Sequence, residues 1–138
     1  MLSINLLSIK TIKIPKRRHY GTRRVDAIAI VDINKFEKIT YAEKPSFYNK
    51  LFSSSEIEYC LKFKTPAEHF AGKFAIKESL KKSIDETISF LDIETYHLES
   101  KIKIKLLNNW DKKYKVLGSI SHDKNYSIAM VISEKINS

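Results

Sequence analysis

The stretch TPAEHFAGKFAIKESLKKS, residues 65–83, constrains the fold more than any other part of the chain. Thr65 is placed to cap exposed amides, Pro66 suits the first helical position, and Glu68 stands where a capping box needs a carboxylate. These signals predict a helix over Pro66–Ser83. Its Ala67, Phe70, Ala71, Phe74, Ala75 and Leu80 make one apolar face, with small residues that allow close approach to a sheet. A shorter capped helix is predicted within residues 53–63, where a serine cluster precedes Glu56 and the apolar Ile57, Cys60 and Leu61.

From Thr87 onward the hydrophobic period becomes two. Ile102, Ile104 and Leu106 alternate with Lys101, Lys103 and Lys105, the pattern of a half-buried strand whose lysine row discourages edge pairing. Residues 116–121 and 126–133 flank the polar segment His122-Asp123-Lys124-Asn125 and read as a closing hairpin. Earlier, residues 25–33 (VDAIAIVDI) read as a buried strand that leads into a short helical stretch over residues 34–40. Helices in the first part and strands in the second predict an α+β fold. A chain of 138 residues with 43% hydrophobic content makes one ordinary domain. It has no apolar run of about 18 residues that would cross a bilayer. The single cysteine, Cys60, has no internal disulfide partner and reads as a buried thiol in a reducing, cytoplasmic setting.

The net charge is +9, yet no acidic residue precedes Asp26. Lys10, Lys13, Lys16, Arg17, Arg18, Arg23 and Arg24 hold seven of the excess charges within residues 1–24, which leaves only +2 for residues 25–138. A uniformly basic nucleic-acid-binding face is not described by this distribution. The chain therefore divides into a basic leader, 1–24, and a domain, 25–138. The leader mixes apolar and basic residues without acids, as an organellar transit peptide does, although its serine content is low. It also fits a basic arm, or residues upstream of the true start.

Two places combine polar groups with well-defined elements. One is Lys77-Glu78 in the long helix, where Glu78 sits on the flank of an apolar face and calls for a partner or a cation. Magnesium suits such a carboxylate, since it takes carboxylate and phosphate oxygens together; an i,i+4 ion pair with Lys82 suits it as well. The other is Ser119-Ile120-Ser121-His122, whose serines and histidine, with Lys124, could contact phosphate, while His122 also fits a solvent-facing loop residue. The histidines at 19, 69, 97 and 122 show no zinc-ligand spacing with one another or with Cys60. With three glycines in all, there is no Gly-rich phosphate loop.

Taken together, three blocks resemble the short, bacterial-type holo-acyl carrier protein synthases over most of residues 25–135. AIAIVDINKF (27–36) is similar to the family's opening strand GIDIVEIxRF. FAGKFAIKESLKKS (70–83) is close to its FAxRFAAKEAxxKA helix and is preceded by LFSSSEIEYC, which looks like its ilTxxElxy helix. SISHDKNYSIAMVI (119–132) is nearly its final hairpin. The resemblance implies a homotrimer with coenzyme A bound between subunits, and transfer of 4′-phosphopantetheine to a serine of acyl carrier protein. It implies magnesium at Glu78, catalytic roles for Glu78 and Lys82, and coenzyme contacts from Lys73, Lys77, Lys82, Ser121 and His122. No nucleic acid or membrane partner is implied.

The chain also departs from the family. The metal-binding aspartate of the opening strand is replaced by Ala29, and strand alternation turns Asp26 and Asp32 to the other side. The family's Gly-rich turn after the long helix becomes Ile84-Asp85-Glu86-Thr87, and its Gly-x-Pro turn becomes Leu98-Glu99-Ser100-Lys101. These changes leave open a second expectation, a catalytically inactive relative that binds carrier protein or a partner subunit without transfer.

Overall fold

The computed structural model describes Ser8–Lys16 and residues 24–136. Four antiparallel strands form one sheet: β1 (Ser8–Lys16), β2 (Arg24–Asp32), β6 (Tyr126–Lys135) and β5 (Tyr114–His122), in that spatial order. A two-stranded ribbon, β3 (Ile93–Leu98) with β4 (Lys101–Leu106), stands apart from it. Between β2 and β3 the chain forms α1 (Ile33–Lys38), α2 (Pro45–Leu51), α3 (Ser54–Leu61) and α4 (Pro66–Ser83). This is the expected α+β arrangement, an antiparallel sheet packed against a long helix.

Alternation along the strands gives the sheet one dry face. Ala27, Ala29 and Val31 of β2 and Ser127, Ala129, Val131 and Ser133 of β6 are buried toward α4. Two contacts fix the rotation of α4 on this face: Ser79 donates to the Ala129 carbonyl, and a Cβ on Gly72 would lie 3.5 Å from the Ser127 hydroxyl. Ala71 and Ala75, both fully buried, occupy the same flank and keep the helix close. The opposite side of α4 is equally dry, because Phe70 and Phe74 join Phe36, Tyr48 and Phe52 in an aromatic cluster, with Tyr48 and Phe70 centroids 4.7 Å apart. The helix is thus buried on two faces, where the sequence pattern predicted one.

Burial on both sides forces two lysines into the interior. Lys77 is fully buried and pairs at 2.6 Å with the equally buried Glu56. Its ammonium also donates to the carbonyls of Leu51 and Phe90. The expected cap of α3 is a capping box, which Glu56 closes with Ser53 while accepting from the amide and hydroxyl of Thr95. The box predicted at Thr65 does not form. Thr65 makes no side-chain cap to α4, and Glu68 turns instead to His122.

Of the basic leader, Ser8–Lys16 is edge strand β1, to which the sequence reading gave no strand. Residues 1–7 and 17–23, with Arg17, Arg18 and Arg23, lie outside the described residues. The expected transit-peptide character of the leader rests partly on them. Pairing of Ser8–Lys16 along β2 covers an edge that would otherwise be open.

The β3–β4 turn places Glu99 and Ser100 at φ 51° and 66°, the left-handed pair of a tight two-residue hairpin. Gly118 lets the ribbon close over β5, since a Cβ there would lie 2.8 Å from both Ile104 and Ile76.

Replacing Lys77 by methionine would strand the Glu56 charge in the core. Lys77→Met is expected to lower the unfolding free energy by about 3–5 kcal/mol in urea titration. A loss below about 1 kcal/mol would mean that the pair is not what holds the helices together.

Candidate active site

A groove of about 870 Å³ opens between the N-terminal half of α4, the β3–β4 ribbon and β5. Lys73, His97, Lys101, Lys103, His69 and His122 line it, so its wall is cationic and rich in imidazole. His122, at the end of β5, is held by Glu68 of the first turn of α4 at 2.8 Å. His97 of β3 stacks on Tyr59 with centroids 4.4 Å apart, and His69 stacks on Phe63 at 3.7 Å. Burial lowers the pKa of both rings, that of His97 to about 4. Each is therefore neutral at pH 7, a flat hydrogen-bonding surface of the kind a nucleotide base or sugar meets.

The expected site residues divide. Lys73 and His122 reach the groove, but Lys73 is 2% exposed, bonds to the Thr95 hydroxyl at 2.9 Å and lies over the Tyr59 ring. Lys77 is spent on Glu56 and two carbonyls, and burial is the largest cause of its lowered pKa. With its ammonium enclosed, it is not available to coenzyme phosphates in this conformation. Ser121 faces away from His122, because neighbours on β5 alternate across the sheet and Ser121 pairs with outward-facing Ile128. The expected phosphate-contacting cluster is therefore split by the pleat.

Glu78 and Lys82 lie elsewhere. Helical periodicity turns them toward the β2 and β1 flank, beyond Ala71 and Ala75. Glu78 is partly buried, and burial pushes its carboxyl above the ordinary range while Lys81 and Lys82 pull it back. The expected ion pair with Lys82 does not form within 4 Å among the described residues; the two interact only through space. Glu78 follows Glu68, the partner of His122, by ten residues, which is about 15 Å along the axis and on a different face. Glu78 and the His122 groove therefore lie apart within one protomer.

Ala29 is fully buried beneath α4 and pairs with Thr11 of β1 and Ala129 of β6. No irregularity interrupts β2 near it, so Asp26 and Asp32 keep to the opposite side. Asp26 binds Arg24 at 3.0 Å, and Asp32 caps α1. Among the described residues no three His, Cys, Asp or Glu side chains gather as a metal site. Glu78 alone is a single partly buried carboxylate, so a magnesium ion held there would take its remaining oxygen ligands from phosphate and water.

The 4′-phosphopantetheinyl transferase superfamily pattern matches residues 28–131, from within β2 through α4 and the ribbon to within β6. The chain belongs to this family. A Geobacter holo-[acyl-carrier-protein] synthase is 33% identical over 84% of this chain and 98% of its own length. The Syntrophus aciditrophicus protein of the same name is 38% identical over 78% and 92%. Among solved structures, the Bacillus anthracis holo-(acyl-carrier-protein) synthase in complex with CoA (3′,5′-ADP) matches with a TM-score of 0.66 and 28% identity, over 79% of this chain and 94% of that one.

Sequence reasoning missed Lys101, Lys103, His69 and His97 as groove residues and Glu68 as the partner of His122. The lysine alternation was the available signal. It reads as edge protection until the ribbon is seen folded beside α4.

Because its pKa is depressed from 6.5 to about 4, neutral His97 contributes stability that is present above pH 6.5 and lost as pH falls toward 4. Thermal melts from pH 7 to pH 4 are expected to fall less steeply for His97→Gln than for the unaltered protein. Parallel curves would show that the stacked ring is not buried as described.

Proposed function

We propose that this chain is a holo-acyl carrier protein synthase, which moves 4′-phosphopantetheine from coenzyme A to a serine of acyl carrier protein. The observation that supports this most is the cationic, imidazole-lined groove, set in a fold shared over nearly the whole length of relatives that carry that name. A net charge of +9 suits a strongly acidic carrier protein, since complementary fields speed encounter.

The reaction is an in-line displacement at phosphorus. The carrier serine oxygen attacks the phosphorus that bears pantetheine, the bond from that phosphorus to the bridging oxygen breaks, and adenosine 3′,5′-bisphosphate departs with the bond's electron pair. The serine proton passes to Glu78, whose raised pKa makes it a better acceptor than an ordinary surface carboxylate. Lys82 contacts the transferring phosphate. On the groove side, Lys101, Lys103 and His122 hold the nucleotide end, with Glu68 orienting the imidazole. No step here passes through magnesium.

Since Glu78 and the His122 groove lie apart in one protomer, the reading calls for an assembly. The sheet face turned from α4 carries Ile12, Ile14, Ile128 and Met130, each 38–42% exposed, and Leu117 at 70%. Such an uncovered apolar sheet is the interface of a trimer in this reading, with Glu78 of one subunit brought beside the groove of the next. A cytoplasmic setting suits it, or an organellar one if the leader directs transport.

The test mixes the full chain with coenzyme A and apo-carrier protein and follows intact mass. Phosphopantetheine addition is expected, and Glu78→Gln should slow it by at least about 100-fold. The inactive-relative reading, which Ala29 favours, predicts no transfer at any coenzyme concentration, and that result would displace the proposal.

A further inference from the structure

Strand β1 lies ahead of the residues that match the family pattern, which begin at 28. Its register carries chemistry to the flank where the family's aspartate is missing. Thr11 stands opposite Ala29 and Lys13 opposite Ala27. Directly opposed residues of an antiparallel pair share a face. Ala27 and Ala29 are buried toward α4, so Thr11 and Lys13 face the helix too. In agreement, the Lys13 ammonium lies 3.3 Å from a carboxylate oxygen of Asp85, in the turn that follows α4. The same flank receives Glu78 and Lys82 from the helix. Among the described residues it thus gathers the Lys13 and Lys82 ammonium groups and the Glu78 and Asp85 carboxylates, and Lys13, with 34% of its side chain exposed, borders solvent.

We propose that Lys13 neutralises the pyrophosphate of bound coenzyme A at this flank, so that coenzyme binding by this chain does not require a divalent cation. The proposal rests on the coenzyme reading given above and goes beyond it. With Ala29 in place of a carboxylate, a magnesium ion here would have Glu78 as its one protein ligand and would depend on phosphate and water oxygens for the rest. An ammonium needs no such cage, because a lysine binds phosphate as a mobile point charge on its own stem. Lys13 is poised for this, its charge held by exposed Asp85 until a more highly charged phosphate replaces that partner. The exchange makes and breaks no covalent bond.

Titration calorimetry of the full chain with coenzyme A, in magnesium and in EDTA, tests the idea. Unaltered protein is expected to bind within about threefold in the two buffers, while Lys13→Met weakens binding at least about tenfold in EDTA and Lys13→Arg retains it. Thermal melts of the variants confirm that each is folded, as expected for a partly exposed side chain on an edge strand. Binding that needs magnesium, or a folded Lys13→Met that binds like the unaltered chain, would overturn the proposal while leaving the coenzyme reading intact. Failure to bind coenzyme A in either buffer would remove both.

Discussion

The buried pair between Glu56 and Lys77 is the constraint on which the rest of the molecule hangs. Glu56 accepts four hydrogen bonds, from the Ser53 amide, the Lys77 ammonium, and the amide and hydroxyl of Thr95. Lys77 gives its three protons to Glu56, Leu51 and Phe90. The charges are desolvated, which costs several kcal/mol for each ion, but no donor or acceptor among them is wasted. Through this one junction α2, α3, α4, the turn before β3 and β3 itself are tied together. Lys73 repeats the device one turn earlier, with Thr95 as its partner.

The junction also sets up the chemistry. Anchoring Lys77 inward fixes the rotation of α4, and the next residue, Glu78, must then emerge about 100° around the helix, on the β2 flank. Toward its N-terminus the same helix offers Glu68 to His122 and Gly72 to the floor beneath Ile120. One rigid rod therefore presents a carboxylate to one side of the protomer and a cationic groove to the other. The two lie apart within a single copy.

Much of this was legible in the sequence, and what was not has physical reasons. The span of α4, the Ser53–Glu56 box, the lysine-flanked strand β4 and the closing hairpin all follow from local pattern. So does the isolation of Asp26 and Asp32 from Ala29, since alternation is a property of any regular strand. Non-local choices were hidden. A lysine in a helix reads as solvated, and nothing near Lys77 announces Glu56, 21 residues away. Glu68 satisfies the capping-box spacing, yet His122, far along the chain, claims it. Ser121 and His122 look like one polar cluster until the pleat separates them. Strand β1 had a signal, Ile12 and Ile14 alternating with Lys13, but the run of basic residues around it masked the period of two.

The central claim is that the working site is shared between subunits, Glu78 from one and His122 from the next. The most direct measurement refolds Glu78→Ala chains together with His122→Ala chains, each inactive alone, and assays phosphopantetheine transfer by the mixture. In a cyclic trimer with random mixing, a quarter of the junctions receive both intact residues, so activity should return to about a quarter of the unaltered level. A mixture as inactive as its separate components, with trimers formed and chains exchanged, would contradict the account.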